Sequence, residues 1–399
     1  MRVMQITAFS GWGCTGRIAL GIHNALKAEN HESLIAWGRR NTVPEEIETI
    51  KIGSKIDQQI HGLYTRFTDK CGFASKRVTR TFLKKIEEYK PDLIQLHILH
   101  GYYINLEILF NYIKKHNIPI VWTFHDCWAF TGHCPYFDLI GCEKWKTGCN
   151  NCPQKAHHPT SWLMDNSAWN WKKKKELFTK QKMTVVTPSK WLGGLVKQSF
   201  LKECNVHVIN NGINLVDFKP TQSDIARRMD IESKKIVLGV SSTWVKSKGL
   251  DDFIQLSKIL PSEYQIVLVG LSKKQIKELP PPIIGVERTD SIRELAELYT
   301  AATVFVNPTY EDNYPTTNLE AIACGTPVVT YKTGGSTEVV EKTGNGEIVD
   351  QGNIVGLKDA IIRLEGHIFA DIDLHKVCSQ EYAFEQYVSL YHHILKGEV

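Results

Sequence analysis

A chain of 399 residues with 42% hydrophobic content is long enough for two to three domains with full-sized cores, yet no apolar run reaches the roughly 18 residues of a membrane span. The formal charge of +5 excludes little, but its distribution is uneven. Residues 1–210 hold 29 Lys and Arg against 17 Asp and Glu, a net +12, and the remainder holds 19 against 26, a net −7, so the first half is the one that seeks anions.

The opening stretch MRVMQITAFSGWGCTG lacks the charged and apolar layout of a signal peptide. A cytoplasmic protein with reduced cysteines is expected, which argues against disulfides. RVMQITAF predicts a strand, followed by a turn with Gly11, Gly13 and Gly16 and a helix from about Arg17. The G-x-G-x-x-G spacing lets backbone approach a ligand at a helix start, and a loop needed only for packing reads the same way. No acidic residue closes the next strand, SLIAWGRR, which argues against NAD.

DLIQLHIL and IPIVWTFHD are further strands, the first leading to the helix INLEILFNYIKKH. They end in His97, His100, His125 and Asp126. A lone histidine is more often structural, but three at strand carboxyl ends of one sheet converge on one place. Ligand contact is expected there, most of all for His125.

The segment FHDCWAFTGHCPYFDLIGCEKWKTGCNNCP then carries five of the ten cysteines. Cys134, Cys142, Cys149 and Cys152 have the ligand type of a closed all-thiolate zinc site, although the spacing of the first pair is unusual. Because a closed site leaves no position for substrate, the metal would be structural. Free or redox-labile thiols, disulfides and an iron–sulfur cluster are the other readings. Cys14, Cys71, Cys204, Cys324 and Cys378 are scattered and read mostly as small buried apolar residues. Next, SWLMDNSAWNWKKKKELFTKQK mixes Trp162, Trp169 and Trp171 with Lys172–Lys175. That combination suits an anionic membrane surface, and a plain solvated helix is its bland equivalent. No nucleic-acid-binding motif accompanies the charge.

MTVVTPS, KWLGGLVKQSFLKE and VHVINNGIN close the first half, and NNGINLVDFKPTQSD is the natural linker. KIVLGVSS, GLDDFIQLSKIL, YQIVLVGL, SIRELAELYTAA, TVFVNPT, TNLEAIACG and TPVVTYKTGG alternate as strands and helices. Continuous Val/Ile/Leu strands between helices predict an α/β fold with two Rossmann-like, doubly wound parallel-sheet domains facing across a cleft. The expected domains are 1–213, with a Cys-rich insertion at 127–153, and 214–380. The amphipathic helix at about 381–399 could pack on either.

In SSTWVKSKGLDDF, Lys246 and Lys248 precede Gly249 at a helix start, which suits a diphosphate; a solvated basic turn is the alternative. In NPTYEDNYPTTNLEAIACGTPVV, Pro315 disfavours helix just before it and leaves Glu311 and Asp312 on a loop. Thr316 and Thr317 open a helix that carries Glu320. Its amides suit phosphate and the carboxylates suit sugar hydroxyls. Thr317-x-x-Glu320 also reads as a simple capping box.

VVTPSKWL, VINNGIN, KGLDDF, LAELYTAATVFVNPT, LEAIACGTPVV and TGGSTEVVE occur in an order that resembles the retaining GT-B glycosyltransferases of glycosyltransferase family 4. The Cys-rich segment looks most like that of bacterial enzymes of capsule, colanic-acid and O-antigen assembly. The resemblance implies transfer of a hexosyl group from a GDP- or UDP-sugar to a glycan or polyprenyl-linked glycan, with retention and with no metal in the chemistry. The first domain would be acceptor-side and the second would bind the nucleotide sugar. Catalytic roles would fall to His125, Lys248, Asp312 and Glu320.

Gly11, Gly13, Gly16, Lys246, Glu311, Thr316 and Thr317 would join the donor site, and His97, His100 and Asp126 would lie on the acceptor side. Asp312 matches the first carboxylate of the family's signature without a gap, and Glu311 matches it only with one residue inserted. Glu320 would hold the ribose. Thr243 stands where the family's phosphate-binding Arg is expected. The implied location is the cytoplasm, or peripherally the inner face of the cytoplasmic membrane. Rival readings are a GT-B-like nucleotide-sugar epimerase and an inactive zinc-stabilised binding or scaffold protein.

Overall fold

In a computed structural model, which describes residues 1–398, the chain divides into two compact units. The first comprises Met1–Asn210 with Ala383–Val399, and the second Asn211–Tyr382. Each unit is built on one parallel sheet.

The first unit contains β1 (Arg2–Ser10), β2 (Glu32–Asn41), β3 (Thr49–Lys51), β4 (Leu93–Leu96), β5 (Ile120–Thr123), β6 (Met183–Thr187) and β7 (Asn205–Val208). Its strand order is β3-β2-β1-β4-β5-β6-β7. The strands alternate between two cores: Met4, Ile6, Ile94, Leu96, Ile120 and Trp122 face one, and Val3, Leu93, Val121 and Val186 the other. Burial on both faces explains the unbroken apolar runs. The second core is closed by helix Gln380–Lys396, which buries Ala383, Tyr387, Val388, Leu390 and Tyr391 against Ile18, Ile22 and Leu26. Its polar atoms are matched as well, because the Tyr391 hydroxyl donates to Gln95 Oε1 at 2.8 Å inside the sheet.

The second unit contains β8 (Lys235–Val240), β9 (Tyr264–Val269), β10 (Ile284–Val286), β11 (Val304–Asn307), β12 (Val328–Tyr331) and β13 (Gly346–Val349), in the order β10-β9-β8-β11-β12-β13. Leu238, Val267 and Phe305 face one core and Val237, Ile266, Leu268 and Val306 the other. In both sheets the order reverses once, between β1 and β4 and between β8 and β11. Such switch points splay the following loops apart at the strand carboxyl ends and leave a crevice for ligand.

The first helix starts at Gly13 and not near Arg17, because the turn tightens directly into it. Likewise, the helix expected over residues 190–203 stops at Val196, and its remainder forms turns. No helix among the described residues is long and apolar enough to cross a membrane.

Candidate active site

At the switch point of the second unit, β8 is followed by a short 3-10 turn, Lys246–Lys248, and then by Gly249 at φ +73°. A Cβ on Gly249 would lie 2.3 Å from Pro308 O, so only glycine lets this turn press against the loop after β11. The two loops are stitched by Tyr310 N donating to Ser247 O at 2.8 Å. Lys248 Nζ crosses the seam. It donates to Asp312 Oδ2 at 2.6 Å, to Glu311 O at 3.3 Å and to Thr309 Oγ1 at 3.4 Å. Asp312 is a carboxylate joined to Lys248, and Glu311 accepts from it through its main-chain oxygen. Lys246 is exposed on the same turn and makes no ion pair among the described residues. Thr243 is exposed and folds back on its own loop, its Oγ1 donating to Ser242 O at 2.8 Å.

Helix Thr316–Ala323 opens behind Pro315 with no side-chain cap. The capping box expected from Thr317 and Glu320 is not formed, because Thr316 and Thr317 are the first two helical residues and not the cap. The first amides of a helix have no intrahelical acceptor and carry its positive dipole end, so this start remains suited to an anion. One turn on, Glu320 Oε2 accepts from Tyr299 OH at 2.9 Å. Tyr299 is fully buried, and burial together with Glu320 pushes its hydroxyl well above the usual phenol range.

A buried polar chain fixes the helix start. Asn307 Nδ2 donates to Asn318 Oδ1 at 2.8 Å, Asn318 Nδ2 donates to Ser336 O at 2.9 Å, and the Ser336 and Thr330 hydroxyls share a bond at 2.7 Å. Asn318, Ser336 and Thr330 are 0% exposed, so their unpaired polar atoms would be costly. The sequence reading passed over these residues. Their one signal in the sequence is Asn318, an Asn within the short helix Thr316–Ala323.

At the switch point of the first unit, Gly11 and Gly13 have φ +70° and +66°. Gly11 N donates to Gly16 O at 3.0 Å, and a Cβ on Gly16 would lie 3.1 Å from Gly11 N. Gly11 and Gly16 thus pack on each other. Beside Gly13, by contrast, a Cβ would meet nothing within 4 Å. Packing accounts for two of the three glycines, and the third leaves exposed backbone at the helix start.

The strand-end histidines fall into two sets lining one small pocket. In the first set, Gln5 Nε2 donates to Ala19 O, which leaves Gln5 Oε1 facing His97 Nε2 at 3.2 Å. Oε1 only accepts, so His97 donates from Nε2 and accepts at Nδ1, 3.2 Å from His125 Nε2. His125 is thereby held as the Nε2–H tautomer. In the second set, His100 Nε2 donates to Asp126 Oδ2 at 2.9 Å, and Asp126 Oδ1 accepts from Trp128 N. Burial pushes the Asp126 carboxyl up, but His100 and the Trp128 amide outweigh it and hold the group below the usual carboxylate range.

Burial lowers His125 to about 4 from the 6.5 of free imidazole. The unfolded chain therefore takes up this proton first as pH falls. The contribution to stability is complete above about pH 6.5 and is lost as pH drops towards 4. His158, also lowered to about 4 by burial, acts in the same sense. The expected result is a melting temperature that declines over this window. The decline should be shallower in His125→Gln than in the parent, as a pH series of thermal melts would read.

Among the described residues no two cysteines are joined in a disulfide. Cys71, Cys324 and Cys378 are buried, whereas Cys14 is exposed and Cys204 half-buried, so the expectation of burial fails for Cys14. Cys134, Cys142, Cys149 and Cys152 line one pocket with Phe137 and Trp145. Cys134 and Cys152 share a hydrogen bond that pushes the first thiol up and pulls the second down to about 7. The segment itself contains only three short 3-10 turns, gathered on Phe130, Phe137 and Trp145.

Two doubly wound parallel sheets, each with its polar side chains at the loops beside the switch point, define the GT-B architecture. A crystal structure of Anabaena Alr3699/HepE in complex with UDP-glucose has the same fold, with a TM-score of 0.65, 16% identity, and coverage of 98% of this chain and 100% of that one. The profile of Glycosyltransferase Family 4 matches residues 15–217, and that of Glycosyl transferases group 1 matches residues 221–367. The chain belongs to glycosyltransferase family 4.

Among curated relatives, it is 25% identical over 276 residues to the colanic acid biosynthesis glycosyl transferase WcaC of Escherichia coli K12, covering 67% of this chain and 66% of that protein. It is 26% identical over 220 residues to the Campylobacter jejuni N,N'-diacetylbacillosaminyl-diphospho-undecaprenol alpha-1,3-N-acetylgalactosaminyltransferase, covering 49% and 57%. Each match thus spans less than two thirds of the relative's own length.

Proposed function

We propose that this chain transfers a sugar from a nucleoside-diphosphate donor to a hydroxyl of a glycan or lipid-linked glycan in bacterial surface polysaccharide synthesis. The observation that carries the reading is the seam at the second unit's switch point, where Lys248 pairs with Asp312 a few residues ahead of the uncapped start of helix Thr316–Ala323. A diphosphate satisfies both the ammonium and the helix amides. It would draw Lys248 from Asp312, and the released carboxylate would accept from the donor's sugar hydroxyls. Glu320, anchored by Tyr299, would accept from the ribose.

As the glycosidic C–O bond breaks, the electron pair leaves with the diphosphate, and Lys248 and the amides stabilise that charge. The acceptor hydroxyl bonds to the anomeric carbon from the same face and passes its proton to the departing phosphate. Configuration is then retained with no protein nucleophile. His125, neutral and oriented through His97 and Gln5, is suited to act as a hydrogen-bonding group and not as a proton donor.

The test is release of nucleoside diphosphate from GDP- and UDP-sugars, slow alone and accelerated by glycan acceptor, with product configuration read by NMR. Absence of release and of thermal stabilisation with every donor would overturn the proposal. A true donor at 100-fold its Kd adds about 2.7 kcal/mol.

The acceptor's setting is read from a second surface. Helix Lys55–Thr68 is secured by a capping box between Ser54 and Asp57, yet its apolar face points outward. Ile56, Ile60, Leu63, Tyr64 and Phe67 are 37–67% exposed. Trp162 packs edge-on to Phe67 at 5.7 Å, and Leu163 and Met164 are also exposed. Arg66 stacks over Trp162, and Lys70 over Trp169, so cations rim the patch. The expectation placed on the Trp171–Lys175 run needs correction, because Trp171 and Lys174 point into the core and Lys173 pairs with Glu107.

We propose that this rimmed apolar patch rests on an anionic bilayer, where a lipid-linked acceptor resides. Replacing one such side chain by a charge should cost about 1.5–3 kcal/mol of insertion. Ile60→Glu or Phe67→Glu should therefore weaken binding to phosphatidylglycerol-containing vesicles at least tenfold, with the melting temperature unchanged. Equal binding in a flotation assay would sink the assignment.

A further inference from the structure

Lys174 lies in helix Ser167–Phe178 and is 1% exposed. Its Nζ donates to Trp128 O at 2.7 Å and Thr131 O at 3.1 Å, and it sits 3.4 Å above the centre of the Trp128 ring. It forms no ion pair among the described residues. The carboxylates within electrostatic reach, Asp69 and Asp126, are already held by His133 and His100. Burial lowers this amine to about 7, so holding it as an ammonium calls for a nearby negative centre.

The peptide that accepts from Lys174 leads to that centre. Thr131 O is bonded to Nζ, and the amide of the next residue, Gly132, donates to Cys149 Sγ at 3.2 Å. Cys149 stands in the pocket lined by Cys134, Cys142 and Cys152. A Cβ on Gly132 would lie 2.2 Å from Ser167 O and 2.6 Å from Cys149 Cβ, so only glycine fits between the helix start and Cys149. The segment's own framework is fixed independently of its thiols: Asp69 holds His133 and the Asn166 amide, and Asn170 Nδ2 donates to Gly132 O at 2.9 Å. The four sulfurs sit on a rim of loop outside the three 3-10 turns.

We propose that Cys134, Cys142, Cys149 and Cys152 bind one thiophilic divalent ion of the zinc class as a tetrathiolate, with the Lys174 ammonium as its built-in counter-charge. A dication with four thiolates carries a net charge of −2, and the thiol protons leave to solvent on binding. The N–H donated by Gly132 and the ammonium one peptide away are the partners such a centre needs. Tetrahedral ligation requires sulfurs about 3.8 Å apart, given metal–sulfur bonds near 2.3 Å. Among the described residues these four do not yet reach mutual ligation distances, whereas Glu29, His31 and His392 do. Binding must therefore draw the rim inward.

The test begins with the unaltered protein, purified without chelator and analysed for metal by mass spectrometry. One zinc per chain is expected, falling in Cys149→Ser and Cys152→Ser. Cobalt substitution should give the intense near-ultraviolet thiolate-to-cobalt band of a tetrathiolate site. Lys174→Met, which keeps the shape and removes the charge, should weaken zinc retention against a chromogenic chelator about 10–100-fold. Background zinc in the folded protein, with all four thiols open to Ellman's reagent, overturns the site. A Lys174→Met variant that holds zinc as tightly as its parent overturns the role given to the ammonium.

Discussion

Lys248→Ala is expected to lower turnover by about 10²–10³-fold while leaving the fold intact. The magnitude follows from removing one preorganised donor at the point where negative charge develops. The stability cost is small because the Lys248–Asp312 pair is 30% and 21% exposed, and a solvent-accessible pair contributes at most about 1 kcal/mol. Lys248→Arg is a sharper probe. It keeps the charge, but its planar fork cannot occupy a seam shaped for one nitrogen bonded to Asp312, Glu311 O and Thr309. Partial activity is expected. Lys246→Ala should cost much less, because the exposed Lys246 makes no ion pair among the described residues. Steady-state kinetics beside a thermal melt separate these outcomes, and equal losses at Lys246 and Lys248 would show that only net charge matters.

The framework of this fold was readable because parallel strands buried on both faces advertise themselves as apolar runs: β1, β4, β5, β6, β8, β9, β11 and β12 were all placed. The short edge strands β3 and β10 hold three residues each, too few for any periodicity to register. A candidate cluster was legible where neighbouring loops carried it, as at Lys248 and Asp312, which the structure joins in an ion pair. It was not legible where strands distant in sequence combine: nothing in the order of residues brings Gln5, His97 and His125 into one chain of hydrogen bonds. Helix Lys55–Thr68 escaped because its apolar face looks outward.

Lys174 is the instructive case. Four consecutive lysines read as a solvated face, yet Asn170, Trp171, Lys174, Leu177 and Phe178 follow the helical period and all turn inward. The pattern was present in the sequence, and the charge obscured it.

Glu320 joins the fold to the chemistry, and its variants should separate the two. Glu320→Ala leaves the hydroxyl of the fully buried Tyr299 without its acceptor, a cost of about 1–3 kcal/mol that a urea melt would register. Donor affinity should fall at the same time, because the proposed acceptor for the ribose hydroxyls is lost. Glu320→Gln keeps an oxygen for Tyr299 and should restore most of the stability. It should still bind donor more weakly, because a neutral amide is a poorer acceptor than a carboxylate.

Tyr299→Phe reverses the selection. It keeps the carboxylate but frees it from its anchor, so a rise in KM for donor with kcat nearly unchanged is expected. If Glu320 served only to satisfy Tyr299, Glu320→Gln would match the parent in donor affinity and in stability alike. A Gln variant that folds like the parent and binds nucleotide poorly places Glu320 in the donor site.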